Sequence, residues 1–298
     1  MPWTQLQIQT DPKNADQLED LFIELGAEAV SMEDAADEPL YEPEPGTTPL
    51  WGKTTVIGLF PADQDVGQLS SDIRRIWHQK TGHNLAEVNV SHIEDKDWVR
   101  AWMDDFHPLK FGERLWIVPS WHEAPDPEAA NLMLDPGLAF GTGTHQTTAL
   151  CLEWLDGQNL KDKLVIDYGC GSGILGLAAL LLGARHVVGV DTDPQALQAS
   201  RENARRNGVD DSKLDLYLPE NEPGTTADVM LANILAQPLI NLASHLAALT
   251  RPGGKLVLSG ILAYQAQEVI AAYEPWFTMD TPKEREEWIR LTGVRNDR

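Results

Sequence analysis

The sequence predicts an α/β protein in which a Rossmann-like sheet follows a small ferredoxin-like α+β domain. The run V-I-D-Y-G-C-G-S-G-I-L-G-L-A-A at 165–179 has the order buried strand, glycine turn and helix start. Asp191 ends a second apolar strand about 20 residues further on, the spacing at which an acidic residue reaches a ribose in nucleotide-binding βαβ units. Ahead of this region, residues 1–95 alternate as βαββαβ, the ferredoxin-like order.

Apolar spacing defines the elements of the front domain. A strand around Leu6 precedes a helix whose apolar residues recur at i, i+3, i+4 and i+7 from Leu18. Asn14 and Asp16 are the predicted N-caps of this helix, and Gly26 is the predicted stop. The acidic, proline-rich stretch 33–49 is predicted as a loop. The other predicted elements are strands over 27–32, 53–60 and 85–93 and a helix over 69–77.

Residues 96–130 are predicted to connect the front domain to a second domain over 131–298. Trp98, Trp102 and Phe106 follow at i, i+4 and i+8, which predicts a linker helix with an aromatic packing stripe. Leu115–Val118 is predicted as a short strand, and 119–136 as irregular chain. The front domain is expected to recognise a substrate, although a purely structural extension is the alternative.

Charge and composition restrict the classes of partner. The 298 residues include 23 basic and 46 acidic side chains, a net charge of −23. Twelve of the acids and one base fall within residues 1–50. Nucleic-acid binders usually carry a basic patch, so we expect a basic protein partner rather than direct reading of nucleic acid. Acidity that only confers solubility is the alternative.

Other compositional features favour a cytoplasmic protein without a metal. No apolar run approaches the roughly 20 residues that a membrane-spanning helix needs, and residues 1–7 lack a signal core. Cys151 and Cys170 form no disulfide framework, and the eight histidines show no metal-ligand spacing. We expect a monomer with no membrane association.

The glycine spacing argues against a dinucleotide site. A dinucleotide fingerprint is G-x-G-x-x-G, but here Ile174 occupies the third glycine position. The pattern D-x-G-x-G-x-G, which opens at Asp167, instead resembles motif I of class I methyltransferases that use S-adenosylmethionine. Gly169 and Gly171 would then let the backbone approach the methionyl carboxylate and ribose. An oxidoreductase that uses a nicotinamide cofactor is therefore the least favoured reading.

Two further segments are predicted to lie near the glycine turn, in the crevice at the carboxyl ends of the strands. The glycine- and threonine-rich run 135–145 leads into a capped helix start at Thr147 and Thr148, and is predicted as a loop over the cofactor. His145 is interpreted as a hydrogen-bonded structural residue rather than a catalyst. Asn233 ends a strand over 227–232 and faces the crevice of Gly169, where its amide can orient an amine. A simple turn asparagine is the alternative.

Five motifs together resemble one family. They are L-D-P-G-L-A-F-G-T-G-T-H, V-I-D-Y-G-C-G-S-G-I-L, V-V-G-V-D-T-D-P-Q-A-L, L-A-N-I-L and E-W-I-R-L-T-G. The sequence is similar over nearly its whole length to the PrmA family of bacterial ribosomal protein L-eleven methyltransferases. The resemblance implies a seven-stranded class I methyltransferase sheet and methylation of lysine and N-terminal amines, up to trimethylation. It also implies that the basic ribosomal protein, free or on the ribosome, is the partner.

The same resemblance implies a set of S-adenosylmethionine contacts. By position they are Thr148, Gly169, Asp191 and Asn233, joined by Phe140 and the 141–144 loop that includes Thr144. Methyltransferases for planar nitrogens often carry Asn-Pro-Pro-aromatic at the asparagine, whereas this chain has Asn-Ile-Leu. That difference favours an aliphatic amine. No general base is identifiable, and water can remove the proton.

Two other functions remain open from the sequence. One is methylation of RNA or of a small molecule, which the acidic front domain disfavours. The other is a non-catalytic ribosome-assembly adaptor, which the retained glycines, Asp191 and Asn233 disfavour.

Overall fold

The computed structural model describes residues 3–36, 51–93, 106–135 and 145–297. The chain divides into two compact units, Met1–Ala101 and Trp102–Arg298. Phe140, Thr144 and most of the predicted linker helix lie outside the described residues. Among the helices that are described, none is long and apolar enough to cross a membrane.

The first unit contains a four-stranded antiparallel sheet with the order β2-β3-β1-β4. The strands are β1 (Trp3–Thr10), β2 (Ala29–Asp34), β3 (Thr54–Pro61) and β4 (Val88–Ile93). The helices are α1 (Pro12–Glu24) and α2 (Val66–Thr81). Inward side chains of β1 and β3 form one core with the apolar faces of both helices, including Phe22 against Phe60. The predicted βαββαβ order is confirmed.

The helix caps of this unit correct one prediction. The N-cap of α1 is Asp11, whose carboxylate accepts a hydrogen bond from the Asn14 backbone N–H at 3.1 Å. Asn14 and Asp16 were the wrong choices because Pro12, which is favoured at the first helical position, begins the helix earlier. Gly26, with φ +91°, follows the end of the helix as predicted. β2 extends to Asp34, into the stretch predicted as a loop.

The second unit begins with a three-stranded sheet and continues as a large mixed sheet flanked by helices. The small sheet comprises β5 (Leu109–Phe111), β6 (Leu115–Val118) and β7 (Ala130–Met133). The helices are α3 (Gln146–Asp156), α4 (Ile174–Leu181), α5 (Pro194–Arg206), α6 (Ala236–Ala248) and α7 (Ala266–Tyr273). The large sheet comprises β8 (Leu164–Tyr168), β9 (His186–Val190), β10 (Leu214–Tyr217), β11 (Ala227–Asn233), β12 (Thr250–Leu262), β13 (Phe277–Met279), β14 (Lys283–Arg285) and β15 (Trp288–Arg295).

The strand order of the large sheet creates a crevice. Seven strands run in the order β10-β9-β8-β11-β12-β15-β13, and β14 pairs with β15 alone. The first five are parallel, whereas β15 is antiparallel to β12. From β8 the chain moves to one side through β9 and β10, and later to the other side through β11 and β12. Ligands bind beyond the carboxyl ends of the strands at such a reversal. The predicted seven-stranded Rossmann-like sheet is confirmed, with β14 as an addition.

Alternation along the strands separates two cores. Val165 belongs to one core with α3, α4 and the small sheet, whereas its neighbours Leu164 and Ile166 belong to the other with α6 and α7. Successive side chains of a strand point to opposite faces, so helices cover both faces of the sheet.

The small sheet corrects the prediction that 119–136 is irregular. β7 pairs in parallel with β6 there, and Leu132 is fully buried. Four residues between turn-forming prolines were too short a run to indicate a strand. The carboxylate of Asp156, at the end of α3, accepts hydrogen bonds from the backbone N–H groups of Glu113 (2.8 Å) and Arg114 (3.0 Å). The end of α3 is therefore anchored to the β5–β6 turn.

Candidate functional site

The glycine turn after β8 is shaped by both backbone conformation and space. Gly169, Gly171 and Gly173 have φ values of +78°, +54° and +80°, which L side chains rarely adopt. A Cβ on Gly169 would overlap the side chain of Ile234, and a Cβ on Gly173 would lie 2.9 Å from Ser200 Oγ. The turn therefore requires glycine for two independent reasons. The turn follows the carboxyl end of β8, at the edge of the crevice.

Asp191 ties the turn to the end of β9. Its Oδ2 accepts a hydrogen bond from the Gly171 N–H at 2.8 Å, and its Oδ1 accepts one from the Asp193 N–H at 3.0 Å. Each carboxylate oxygen has a second acceptor position. The side chain can therefore hold the turn and still accept hydrogen bonds from a ligand.

The asparagine that ends β11 has one polar atom that meets no partner in the described ranges. Asn233 Nδ2 donates to Thr148 Oγ1 at 3.2 Å, which joins β11 to the first turn of α3. Asn233 Oδ1 is buried and has no hydrogen-bond partner among the described residues. A buried acceptor without a partner is costly, and such atoms are often found where a ligand binds. The crevice therefore offers one oriented acceptor beside the glycine turn.

Ile234 fixes the backbone that follows this asparagine. Its side chain fills the space over Gly169, while a Cβ on Gly260 would overlap its carbonyl oxygen. Gly260 has φ +84° and lies at the register shift between β12 and β15. The loop after β11 is thus packed between two glycines from neighbouring strands.

Asp167 is a fully buried carboxyl group beneath the turn. Its pKa is raised to about 7, mainly by burial; a hydrogen bond from the Gly176 N–H at 2.9 Å opposes the shift, and the negative charge of Asp191 adds to it. Gly176 is required there because a Cβ would lie 3.2 Å from the Asp167 carboxylate and 2.8 Å from Val187. Gly176 lies outside the D-x-G-x-G-x-G pattern, so the sequence motif does not indicate this role.

One face of α5 supports the turn from outside. Ser200 Oγ donates to the Gly171 carbonyl oxygen at 2.8 Å, and Asn203 Nδ2 donates to the Ser172 carbonyl oxygen at 2.9 Å. Further along, Asn207 exchanges two hydrogen bonds with the Met133 backbone. No sequence motif indicates a role for these three residues. Their polar spacing at i, i+3 and i+7 on a helix was the available signal.

His145 and the cysteines take structural positions. His145 is the N-cap of α3, where its side chain accepts from the Thr147 N–H at 3.3 Å. Burial raises the pKa of the Cys151 thiol to about 12, and burial also raises that of Cys170. Both thiols are therefore protonated near neutral pH and are poor nucleophiles. Among the described residues, no group of three or more potential ligands could hold a metal ion.

The site residues chosen from sequence fall into two groups. The structure brings Gly169, Gly171 and Asp191 together at the glycine turn and joins Thr148 to Asn233 at the carboxyl end of β11. Phe140 and Thr144 lie outside the described residues.

Asp167 predicts a specific pH dependence of stability. Its native pKa of about 7 exceeds the ordinary unfolded value of about 3.9, so the native state binds more protons between these values. The free energy of unfolding should therefore fall as pH rises from about 4 to about 7, by up to roughly 4 kcal/mol. Asp167→Asn removes this titration and keeps an acceptor for Gly176. Denaturant unfolding at pH 5 and pH 8 should show the variant gaining stability relative to wild type at the higher pH; parallel profiles would show the assignment to be wrong.

Known proteins resemble the chain over its full length. A family model described as ribosomal protein L11 methyltransferase (PrmA) matches residues 2–296. The ribosomal protein L11 methyltransferase of Marinobacter nauticus is 75% identical over 297 residues, covering 100% of both chains. The relative of that name from Pseudomonas aeruginosa is 56% identical and covers 99% of both.

A solved structure agrees with this assignment. The ribosomal protein L11 methylase of Lactobacillus delbrueckii subsp. bulgaricus is 33% identical, with a TM-score of 0.57, and covers 64% of this chain and 100% of its own. The chain therefore belongs to the ribosomal protein L11 methyltransferase (PrmA) family and is a methyltransferase.

Proposed function

We propose that the protein transfers methyl groups from S-adenosylmethionine to lysine side-chain and N-terminal amines of ribosomal protein L11, up to trimethylation. The observation that most supports this proposal is the buried Oδ1 of Asn233 beside the glycine turn, which has no hydrogen-bond partner within the part of the chain that the structure describes. An amine N–H is the donor such an acceptor lacks. The proposed substrate would place the enzyme in the cytoplasm, and we expect it to act as a monomer.

We call the part of the crevice at the glycine turn the donor end, and its features suit S-adenosylmethionine. The three glycines of the turn have no side chains, and Gly169 and Gly171 are partly exposed, which favours close approach of a ligand to their backbone. Asp191 has free acceptor positions for ribose hydroxyl groups. We propose that Thr148 and Asn233, which a hydrogen bond joins, also contact the cofactor where it meets the amine. We propose Phe140 and Thr144 as further contacts. When bound, S-adenosylmethionine supplies an electrophilic methyl group on a sulfonium.

We call the part of the crevice at Thr148 and Asn233 the acceptor end, and we propose that it orients the amine that receives the methyl group. In the first two transfers, Asn233 Oδ1 would accept a hydrogen bond from the neutral amine, so that the nitrogen lone pair points toward the donor end. The neutral dimethylated amine has no N–H, so the third transfer would proceed without this hydrogen bond. A lysine amine has a reference pKa near 10.4, and desolvation in the crevice favours its neutral form. Asp191 is engaged with backbone N–H groups, and Asp167 is buried beneath the turn. We assign proton removal to water rather than to either carboxyl group.

We propose that the first unit recognises the basic substrate. The exposed side chains of α1 include Asp16, Asp20 and Ile23, the last of which is 56% exposed; Glu24 is also exposed, but it is paired with Lys80 at 2.8 Å. Acidic groups around one apolar side chain suit a lysine-bearing protein surface, because charge steers encounter and the apolar contact adds affinity.

Labelled S-adenosylmethionine tests the proposed function. Wild-type enzyme is incubated separately with purified ribosomal protein L11, ribosomal RNA and small amines, and the products are analysed by mass spectrometry. Label on lysine or N-terminal nitrogens of the protein is expected. Label in RNA or only in small amines would replace the proposal, and failure to bind S-adenosylmethionine would favour a non-catalytic adaptor.

Removing the Asp191 carboxylate should weaken cofactor binding. Asp191→Ala is expected to cost about 1–3 kcal/mol of S-adenosylmethionine affinity in calorimetric titration, because a charge-assisted hydrogen bond to ribose is lost. Asp193→Asn is the matched control, since it removes a neighbouring charge while asparagine preserves the cap of α5. Equal affinities of Asp191→Ala and wild type would refute the ribose role.

Removing the first unit should separate cofactor binding from substrate recognition. A chain that starts at residue 102 is expected to bind S-adenosylmethionine normally, because the crevice lies in the second unit. Its kcat/KM with intact ribosomal protein L11 should fall at least about tenfold, since the recognition surface is gone. Circular dichroism checks that the truncated chain is folded. Methylation of the intact protein at the wild-type rate would contradict the recognition role.

A further inference from the structure

The first turn of α3 contacts two structures that are distant in sequence. Thr148 Oγ1 accepts from Asn233 Nδ2 at 3.2 Å, on the acceptor side of the crevice. Gln146 Nε2 donates to Glu286 Oε1 at 2.9 Å, in the loop between β14 and β15. The position of this turn therefore depends on the β14–β15 hairpin as well as on β11.

An aromatic contact joins the same hairpin to the cap of α3. The rings of His145 and Trp288 meet edge to face, with centroids 4.9 Å apart and planes at 68°. Burial lowers the pKa of His145, and the nearby Glu286 carboxylate opposes that shift. The ring is thus neutral near pH 7, as it must be for Nδ1 to accept the Thr147 N–H. Trp288 supports the ring in its capping position.

The hairpin maintains these contacts at a conformational cost. Glu286 has φ +54°, in a two-residue loop whose positive-φ positions favour Gly, Asn or Asp. Such a conformation persists only where the surroundings enforce it, and residues of this kind concentrate at functional sites. The Ala263 N–H donates to the Glu287 carbonyl oxygen at 2.9 Å, which ties the loop to the chain after β12.

The hairpin also contacts α3 further along, away from the crevice. Arg285 forms two hydrogen bonds to the Glu153 carboxylate, at 2.7 and 2.9 Å, and Arg290 donates to the Leu150 carbonyl oxygen at 2.8 Å. Glu153 lies two helical turns beyond Gln146. The Arg285–Glu153 pair holds the same two elements together without contacting the first turn, so it provides an internal control.

We propose that Glu286 and Trp288 are positioning residues that hold the first turn of α3, and with it Thr148 and Asn233, in place for methyl-donor binding. This inference rests on the proposed function for its link to S-adenosylmethionine. The hairpin acts through the helix: Glu286 holds Gln146, and Trp288 holds the capping His145. Neither residue is required to touch the cofactor.

The test compares two variants that alter contacts with the first turn of α3, the near end, with a control that alters a contact near its last turn, the far end. All are made in the full-length protein. Glu286→Gly removes the carboxylate and relieves the positive φ, so its melting temperature should stay within about 4 °C of wild type. Trp288→Ala removes the ring, and Trp288→Phe restores an aromatic contact. Arg285→Gln breaks the pair with Glu153. Amide hydrogen exchange is measured at residues 147–150 without ligand, and S-adenosylmethionine affinity is measured by calorimetry.

The expected pattern separates positioning from general stability. Glu286→Gly and Trp288→Ala should accelerate exchange at 147–150 and weaken S-adenosylmethionine binding at least about fivefold, because a loosened site loses aligned contacts. Trp288→Phe should recover most of the affinity, and Arg285→Gln should stay within about twofold of wild type. Unchanged exchange at 147–150 in Glu286→Gly would overturn the inference, as would an equal loss of affinity in Arg285→Gln. If wild type bound no S-adenosylmethionine, the proposed cofactor would be wrong, whereas faster exchange in the near-end variants would still support the positioning contact.

Discussion

The close passage of the glycine turn between Ile234 and Ser200 is the constraint on which the rest of the crevice depends. No side chain fits at Gly169 or Gly173, and the backbone there adopts φ values that other residues resist. Since Ile234 follows Asn233 directly, the contact that excludes a side chain at Gly169 also fixes the position of the Asn233 amide. One packing contact therefore couples the glycine turn to the end of β11.

Helix α3 transmits a second constraint to the same place. Asp156 anchors its last turn to the backbone of the β5–β6 turn, while Gln146 and His145 meet the β14–β15 hairpin at its first turn. Fixing a helix at both ends limits its sliding and rotation. Thr148 can then meet Asn233 in one geometry, which is the preorganisation that alignment-dependent methyl transfer needs. Segments remote in sequence thus contribute to the crevice without lining it.

Features that depend on local sequence could be predicted, whereas features that depend on tertiary contacts could not. The strand, turn and helix around Gly169 were predictable because glycine conformation and apolar runs are local properties. The position of Asp191 beside the turn was predictable from its spacing in the sequence. That Asn233 Oδ1 has no partner among the described residues depends on tertiary packing, which no sequence pattern indicates. The contacts of Glu286 with α3 join residues 140 positions apart. The positive φ of a glutamate gave no sequence signal, because residues other than Gly, Asn or Asp seldom mark such turns.

The most direct measurement of the central claim is the single-turnover rate of methyl transfer to ribosomal protein L11 by Asn233→Ala at saturating S-adenosylmethionine. If Asn233 Oδ1 aligns the acceptor amine, the rate should fall at least about tenfold even when the donor is fully bound, since a hydrogen bond to the reacting amine is lost. Saturation by the donor separates this effect from any loss of cofactor affinity. A wild-type single-turnover rate in Asn233→Ala would contradict the claim that the crevice between the glycine turn and β11 is where the amine is methylated.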